Sequence, residues 1–157
     1  MVRVLMVCLG NICRSPAAEG VLLAHLERRG LADAVAVDSA GTSAYHVGDP
    51  ADDRMRGAAG QRGYDLTSVA RTVRDEDFTD FDLILAMDRE NLANLAGRGG
   101  ATVRLLGEYV PGEEVPEVPD PYYGGGDGFE RVLDLLESAM PALLDELEAL
   151  ASRKTGP

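Results

Sequence analysis

The chain has 157 residues, 45% of them hydrophobic, and a formal net charge of −12. This suits one globular domain with an adequate core, while the charge argues against nucleic acid or an anionic membrane as partner. No apolar run reaches membrane-spanning length, the N-terminal apolar stretch is too short for a secretory signal, and two cysteines with two histidines are too few for a disulfide framework or a zinc site.

A cytoplasmic protein without metal or other cofactor is therefore expected. In chain order, residues 4–7 (Val-Leu-Met-Val) form a β-branched-rich run with the length of a buried strand. The loop Cys8-Leu9-Gly10-Asn11-Ile12-Cys13-Arg14-Ser15 follows, then Pro16 where a helix tolerates proline best, with Ser15 as N-cap. Ala18, Val21, Leu22 and Leu26 recur at helical spacing up to Gly30. A second strand is predicted at 34–39, then a loop through Tyr45, His46, Gly48 and Pro50. A helix starts at Asp52 or Asp53 and runs to Gly63; residues 64–72 read as irregular and 75–78 as a short acidic helical turn. A third strand over 82–87 leads into a helix over 88–95, stopped by Gly97, and a fourth strand covers 103–106.

Residues 107–128 form a long connection rich in Pro, Gly and Glu with no periodicity of its own, and loops of that length in a compact domain are usually functional or disordered. The last helix, 129–151, carries Val132, Leu135, Leu136, Met140, Leu143, Leu147 and Leu150 along one side, with a bend expected at Pro141. Residues 152–157 are expected to fray. Strands alternating with helices predict an α/β domain: a parallel sheet with right-handed crossovers and helices on both faces. Sites in such sheets lie at the carboxyl ends of strands, near a switch in strand order. Cys8, Ser39, Asp88 and the long connection all follow such ends, so they share one edge of the molecule.

Strand, tight loop and helix N-terminus together make an anion cradle, with backbone N–H groups of Leu9, Gly10, Asn11, Ile12, Cys13 and Arg14 directed into one concavity. Arg14 adds a planar charged fork that can grip two oxygens of a phosphate; a cation in the first turn opposes the helix dipole, so it needs an anion to explain it. Amide dipoles, Arg14 and the Ser15 hydroxyl favour Cys8 as a thiolate nucleophile. A phosphomonoester also needs a proton donor opposite the nucleophile. Asp120, in Asp120-Pro121-Tyr122-Tyr123-Gly124, ranks first because Pro121 restricts its backbone and two tyrosines can screen an aromatic leaving group; Asp88 is the runner-up.

The string Val7-Cys8-Leu9-Gly10-Asn11-Ile12-Cys13-Arg14-Ser15-Pro16 closely resembles the low-molecular-weight protein tyrosine phosphatases, as does the Asp-Pro-Tyr-Tyr-Gly string at Asp120. Asp38-Ser39-Ala40-Gly41, Ala70-Arg71, Met87-Asp88 and Leu105-Leu106-Gly107 extend the likeness across nearly the whole chain. It implies a single domain with a four-stranded parallel sheet and a phosphate-binding loop after the first strand. It implies a cysteinyl-phosphate formed on Cys8, with Asp120 as general acid and then base. Asn11, Ser15 and Ser39 would brace the loop, and Tyr45, Tyr122 and Tyr123 would wall the pocket. A phosphotyrosine protein or an aryl phosphate is the implied substrate, with phosphate-like oxyanions as inhibitors.

One departure stands out: members often carry a histidine three positions before the arginine matching Arg71, and this chain has Ser68 there. His25 and His46 read as structural or surface residues. Cys13 is either a packing residue or a redox partner that protects Cys8 as a disulfide. Two rivals compete with hydrolysis. An arsenate reductase on this fold would use further downstream cysteines, and the chain has none beyond Cys13. A non-catalytic phosphate-binding or redox-sensing module would have no use for Asp120.

Overall fold

The computed structural model describes residues 1–122 and 127–155. Its strands are β1 Val2–Cys8, β2 Val35–Gly41, β3 Leu83–Ala86 and β4 Thr102–Leu105. Its helices are α1 Arg14–Arg29, α2 Asp53–Gln61, α3 Asp77–Asp80, α4 Arg89–Leu95 and α5 Asp127–Thr155. The strands form one parallel sheet in the order β2-β1-β3-β4. The chain thus leaves β1 toward one edge and returns on its other side, so the switch in strand order falls at the carboxyl end of β1, where Cys8 stands.

β1 is buried on both faces, as a central parallel strand must be. Val2, Val4 and Met6 point into a core shared with α1 and α5, while Leu5 and Val7 point to the other face, against Phe78, Phe81 and Leu95. Helices therefore cover both sides of the sheet. The apolar side of α5 closes the larger core through Val132, Leu136, Met140, Leu143 and Leu147, all fully buried. Each such side chain contributes roughly 1.5–3 kcal/mol when removed from water.

Three local expectations differ from the structure. α1 begins at Arg14 with Cys13 at its N-cap, so Ser15 lies inside the first turn and its hydroxyl is free for other work. Residues following β4 wind into a 3₁₀ turn, Leu106–Tyr109, with the Leu105 N–H donating to the Glu108 carboxylate at 2.9 Å. α5, with Pro141 inside it on its exposed face, continues past 151 to Thr155. Ser152–Thr155 are thus helical rather than frayed, because Lys154 Nζ ties this end to Asp82 Oδ2 at 2.8 Å and to the Met1 carbonyl at 3.0 Å.

Candidate active site

Between β1 and α1 the chain turns sharply, and Asn11 takes the strain with φ of 58°. Asparagine tolerates this left-handed region better than other non-glycine residues. The turn buries the Asn11 side chain, whose Nδ2 donates to Ser15 Oγ at 2.8 Å and Ser39 Oγ at 3.0 Å, while its Oδ1 accepts from the Arg71 N–H at 3.0 Å. Ser39 in turn donates to Glu19 Oε1 at 2.7 Å. Burial pushes the Glu19 carboxyl pKa up and Asp38 adds to this, against the opposing pull of bonds to Ser39 and Ser68 and of the Arg71 charge.

The network ends on sulfur. Ser15 Oγ lies 3.0 Å from Cys8 Sγ, and the Asn11 N–H donates to the same sulfur at 3.3 Å. The Asn11 N–H is thus aimed at the sulfur that stands at the base of the cradle. The loop is also pressed onto the end of β2. A Cβ on Gly41 would stand 2.7 Å from the Leu9 carbonyl oxygen and 3.2 Å from the Asn11 nitrogen, so only glycine fits.

Arg14 is buried beside this loop. Its Nη1 donates to Asp88 Oδ2 at 2.7 Å and to the Val118 carbonyl at 3.3 Å, and its Nη2 stands 3.7 Å from Asp120 Oδ2. Asp88, the alternative acid, has both oxygens engaged: Oδ2 by Arg14, and Oδ1 by the Asn91 N–H at 2.7 Å as the cap of α4. It orients the guanidinium and does not line the pocket. Asp120 has one oxygen fixed by the Tyr122 N–H at 3.0 Å and its side chain 40% exposed.

These groups converge on a cavity of about 350 Å³. Cys8, Leu9, Gly10, Ile12, Cys13 and Arg14 form its base, and Ser43, Tyr45, His46, Asp120 and Tyr122 its walls. Tyr123 lies outside the described residues. Cys13 is a neutral thiol, its pKa pushed up to about 12 by burial, with Asp52, Cys8 and Asp120 adding and Arg54 opposing. Both cysteines are free. Among the described residues no cluster of His, Cys, Asp and Glu has the makings of a metal site, and no helix is long and apolar enough to cross a membrane.

A model of the low molecular weight phosphotyrosine protein phosphatases matches residues 3–153. The chain belongs to that family. A Synechocystis relative in the same group is 49% identical over 150 residues, covering 92% of this chain and 96% of its own. The low molecular weight protein-tyrosine-phosphatase of Streptomyces coelicolor is 45% identical over 150 residues, covering 90% and 91%. Among solved structures, a protein tyrosine phosphatase from Entamoeba histolytica with Hepes in the active site superposes with a TM-score of 0.90 at 43% identity, covering 95% of this chain and 98% of that one. The four-stranded parallel sheet is thus this phosphatase family's fold.

The structure places His46, expected at the surface or in a structural role, in the site. His46 lines the cavity, with its ring edge-on to Tyr45 at 4.8 Å, and a Cβ on Gly10 would touch its Cδ2 at 3.0 Å. Only the path of the β2–α2 loop brings it there, and no local pattern carries that. His25 does fit the structural reading, with Nδ1 2.8 Å from the Val21 carbonyl and its ring stacked on Tyr64. That Asp88 and the Arg14 loop share the sheet's carboxyl edge is readable from the strand–helix alternation, but their pairing follows from β1 and β3 being neighbours, which only the structure shows.

Proposed function

We propose that this phosphatase hydrolyses phosphotyrosine in proteins and related aryl phosphates through a cysteinyl-phosphate, with Cys8, Arg14 and Asp120 as its catalytic residues. The observation that supports this best is the shared cavity: Cys8 and Arg14 at its base, and Asp120 on its wall 3.7 Å from the Arg14 guanidinium. Cys8 Sγ attacks phosphorus as the thiolate, in line with the ester oxygen. The S–P bond forms as the P–O bond breaks, and the Asp120 carboxyl gives its proton to the departing oxygen. The Arg14 guanidinium and the loop amides of Leu9, Gly10, Asn11, Ile12, Cys13 and Arg14 hold the non-bridging oxygens, whose charge spreads in the transition state.

In the second half, water attacks the cysteinyl-phosphate and passes its proton to the Asp120 carboxylate. The S–P bond breaks, inorganic phosphate leaves, and the sulfur departs toward the Ser15 hydroxyl 3.0 Å away. Since Arg14 and the amides neutralise the phosphate in this reading, no metal is needed. Oxyanions of phosphate shape compete for the same cradle. Tyr45, His46 and Tyr122 around a nearly buried Cys8 favour a long aryl phosphate over a short phosphoserine. The net charge of −12 disfavours nucleic acid as partner. A thiolate nucleophile needs a reducing compartment, which supports a cytoplasmic location.

A phosphopeptide panel carrying phosphotyrosine, phosphoserine or phosphothreonine, assayed with and without chelator, tests the proposal. The expected result is phosphotyrosine turnover insensitive to chelator and abolished by Cys8→Ser with the fold intact. Turnover that survives Cys8→Ser would overturn the nucleophile assignment. Phosphate binding without any turnover would point to a non-catalytic module.

A further inference from the structure

The Asp120 carboxyl can protonate a leaving group only if its backbone is held over the cradle. On its N-terminal side the anchor is Val118, whose N–H donates to the Met87 carbonyl at 2.9 Å and whose carbonyl accepts from Arg14 Nη1 at 3.3 Å. On the C-terminal side, among the described residues, α2 supplies a backbone anchor. Arg54 Nη2 donates to the Tyr122 carbonyl at 3.2 Å, and the guanidinium lies over two rings, 5.4 Å from the Tyr122 centroid and 4.9 Å from that of Phe129. The Tyr122 backbone therefore takes Arg54 on the carbonyl after its Cα, while the N–H before it donates to Asp120 Oδ1 at 3.0 Å.

Arg54 is itself aimed. The Asp52 carboxylate accepts from its Nε at 3.2 Å and its Nη2 at 3.1 Å, while capping α2 through the N–H groups of Arg54 and Met55. The Asp52 N–H donates to the Ile12 carbonyl at 2.8 Å, so the series begins in the phosphate-binding loop. From Ile12 through Asp52, Arg54 and Tyr122 to Asp120, every link is a hydrogen bond or an adjacent residue. An ordinary exposed ion pair between Asp52 and Arg54 would contribute little stability, and that alone gives Arg54 no reason to span two aromatic rings and a carbonyl of another segment.

We propose that Arg54 is a positioning residue for leaving-group protonation, holding the Asp120 carboxyl in place through the Tyr122 backbone. The inference rests on Asp120 being the general acid. It predicts a selective defect, because a misplaced acid hurts esters that need protonation and spares those whose leaving group departs unaided.

The test uses aryl phosphates graded in leaving-group basicity, with vanadate inhibition as a readout of the cradle, on Arg54→Met, Arg54→Lys, Asp120→Asn and the double variant Arg54→Met/Asp120→Asn. Arg54→Met keeps an apolar side chain against the rings and loses the hydrogen bonds. It should lower kcat/KM for phenyl phosphate roughly tenfold and for p-nitrophenyl phosphate less than about twofold, with vanadate inhibition unchanged. Arg54→Lys should recover part of the loss, and it carries the test if Arg54→Met does not fold. Adding Arg54→Met to Asp120→Asn should cost nothing further. An equal loss for all esters, weakened vanadate inhibition or an additive double variant would overturn the positioning role. If Asp120→Asn steepens the leaving-group dependence and neither Arg54 variant does, the positioning role alone falls. If Asp120→Asn leaves that dependence unchanged, Asp120 is not the acid and both readings fall.

Discussion

Cys8 and Asp120 line one cavity, yet they are held there by opposite means. The loop that carries Cys8 is locked from behind by buried side chains, Asn11, Ser15 and Ser39, whose hydrogen bonds are satisfied inside the protein. The connection that carries Asp120 is held by main-chain bonds at Val118 and by a half-exposed arginine at Tyr122. Fully satisfied polar networks in a low-dielectric interior rigidify what they touch. Exposed cation contacts are weaker and more easily adjusted. The oxyanion receptor is thus preformed, whereas the proton donor sits on the more adjustable side of the cavity.

Substitutions should separate the two regions, beginning with the strongest effect. Asn11→Ala removes two donated bonds and one accepted bond, and it places a Cβ residue without a polar side chain at φ of 58°. At about 1 kcal/mol per hydrogen bond and about 1 kcal/mol for the backbone, it should destabilise the protein by roughly 3–4 kcal/mol in urea unfolding. A change under about 1 kcal/mol would mean that the network braces little.

Asp88→Asn is expected to be milder, because asparagine still caps α4 while Arg14 loses its charged partner. Loosened orientation of the guanidinium should lower kcat about tenfold, equal to about 1.4 kcal/mol in the barrier. Steady-state kinetics should show this loss alike for good and poor leaving groups, in contrast to the Arg54 variants. A loss concentrated on poor leaving groups would return Asp88 to the role of acid.

Lys154→Met should matter least, far from both regions. Burial opposes ionisation of Asp82, but the bonds from Lys154 and the Arg3 N–H, together with the Lys154 and N-terminal charges, outweigh it and hold the carboxyl pKa below its ordinary value. A depressed carboxylate stabilises above its unfolded pKa, about 3.9, and loses that contribution as pH falls through the folded value. For so exposed a pair the substitution should cost about 0.5 kcal/mol at neutral pH and less in strong acid, where only the bond to the Met1 carbonyl remains, read from thermal unfolding across pH.

What could be read from the chain itself was what local chemistry dictates. Residues 4–16 announce strand, loop and helix because apolar run, glycine and proline act over a few positions, and the observed β1 and α1 follow. The expectation that Ser15 caps α1 failed because a tertiary demand outbid the local one: its hydroxyl serves Cys8 and Asn11. The 3₁₀ turn after β4 has no periodicity to betray it and is closed by Glu108 reaching back to Leu105. The last turn of α5 is held by Asp82 and the first residue of the chain, partners too distant in sequence for a helical pattern to register. Within the cavity, the base could be inferred from one contiguous string, whereas His46 and the partnership of Asp88 with Arg14 required knowing which loops and strands become neighbours.

Gly41 has a consequence for how such a pocket diversifies. With β2 backed against the Leu9 carbonyl, there is no slack below the cradle for a bulkier side chain. New substrate preferences have to be written at the rim, where Tyr45 is 86% exposed and meets the cavity through its edge contact with His46.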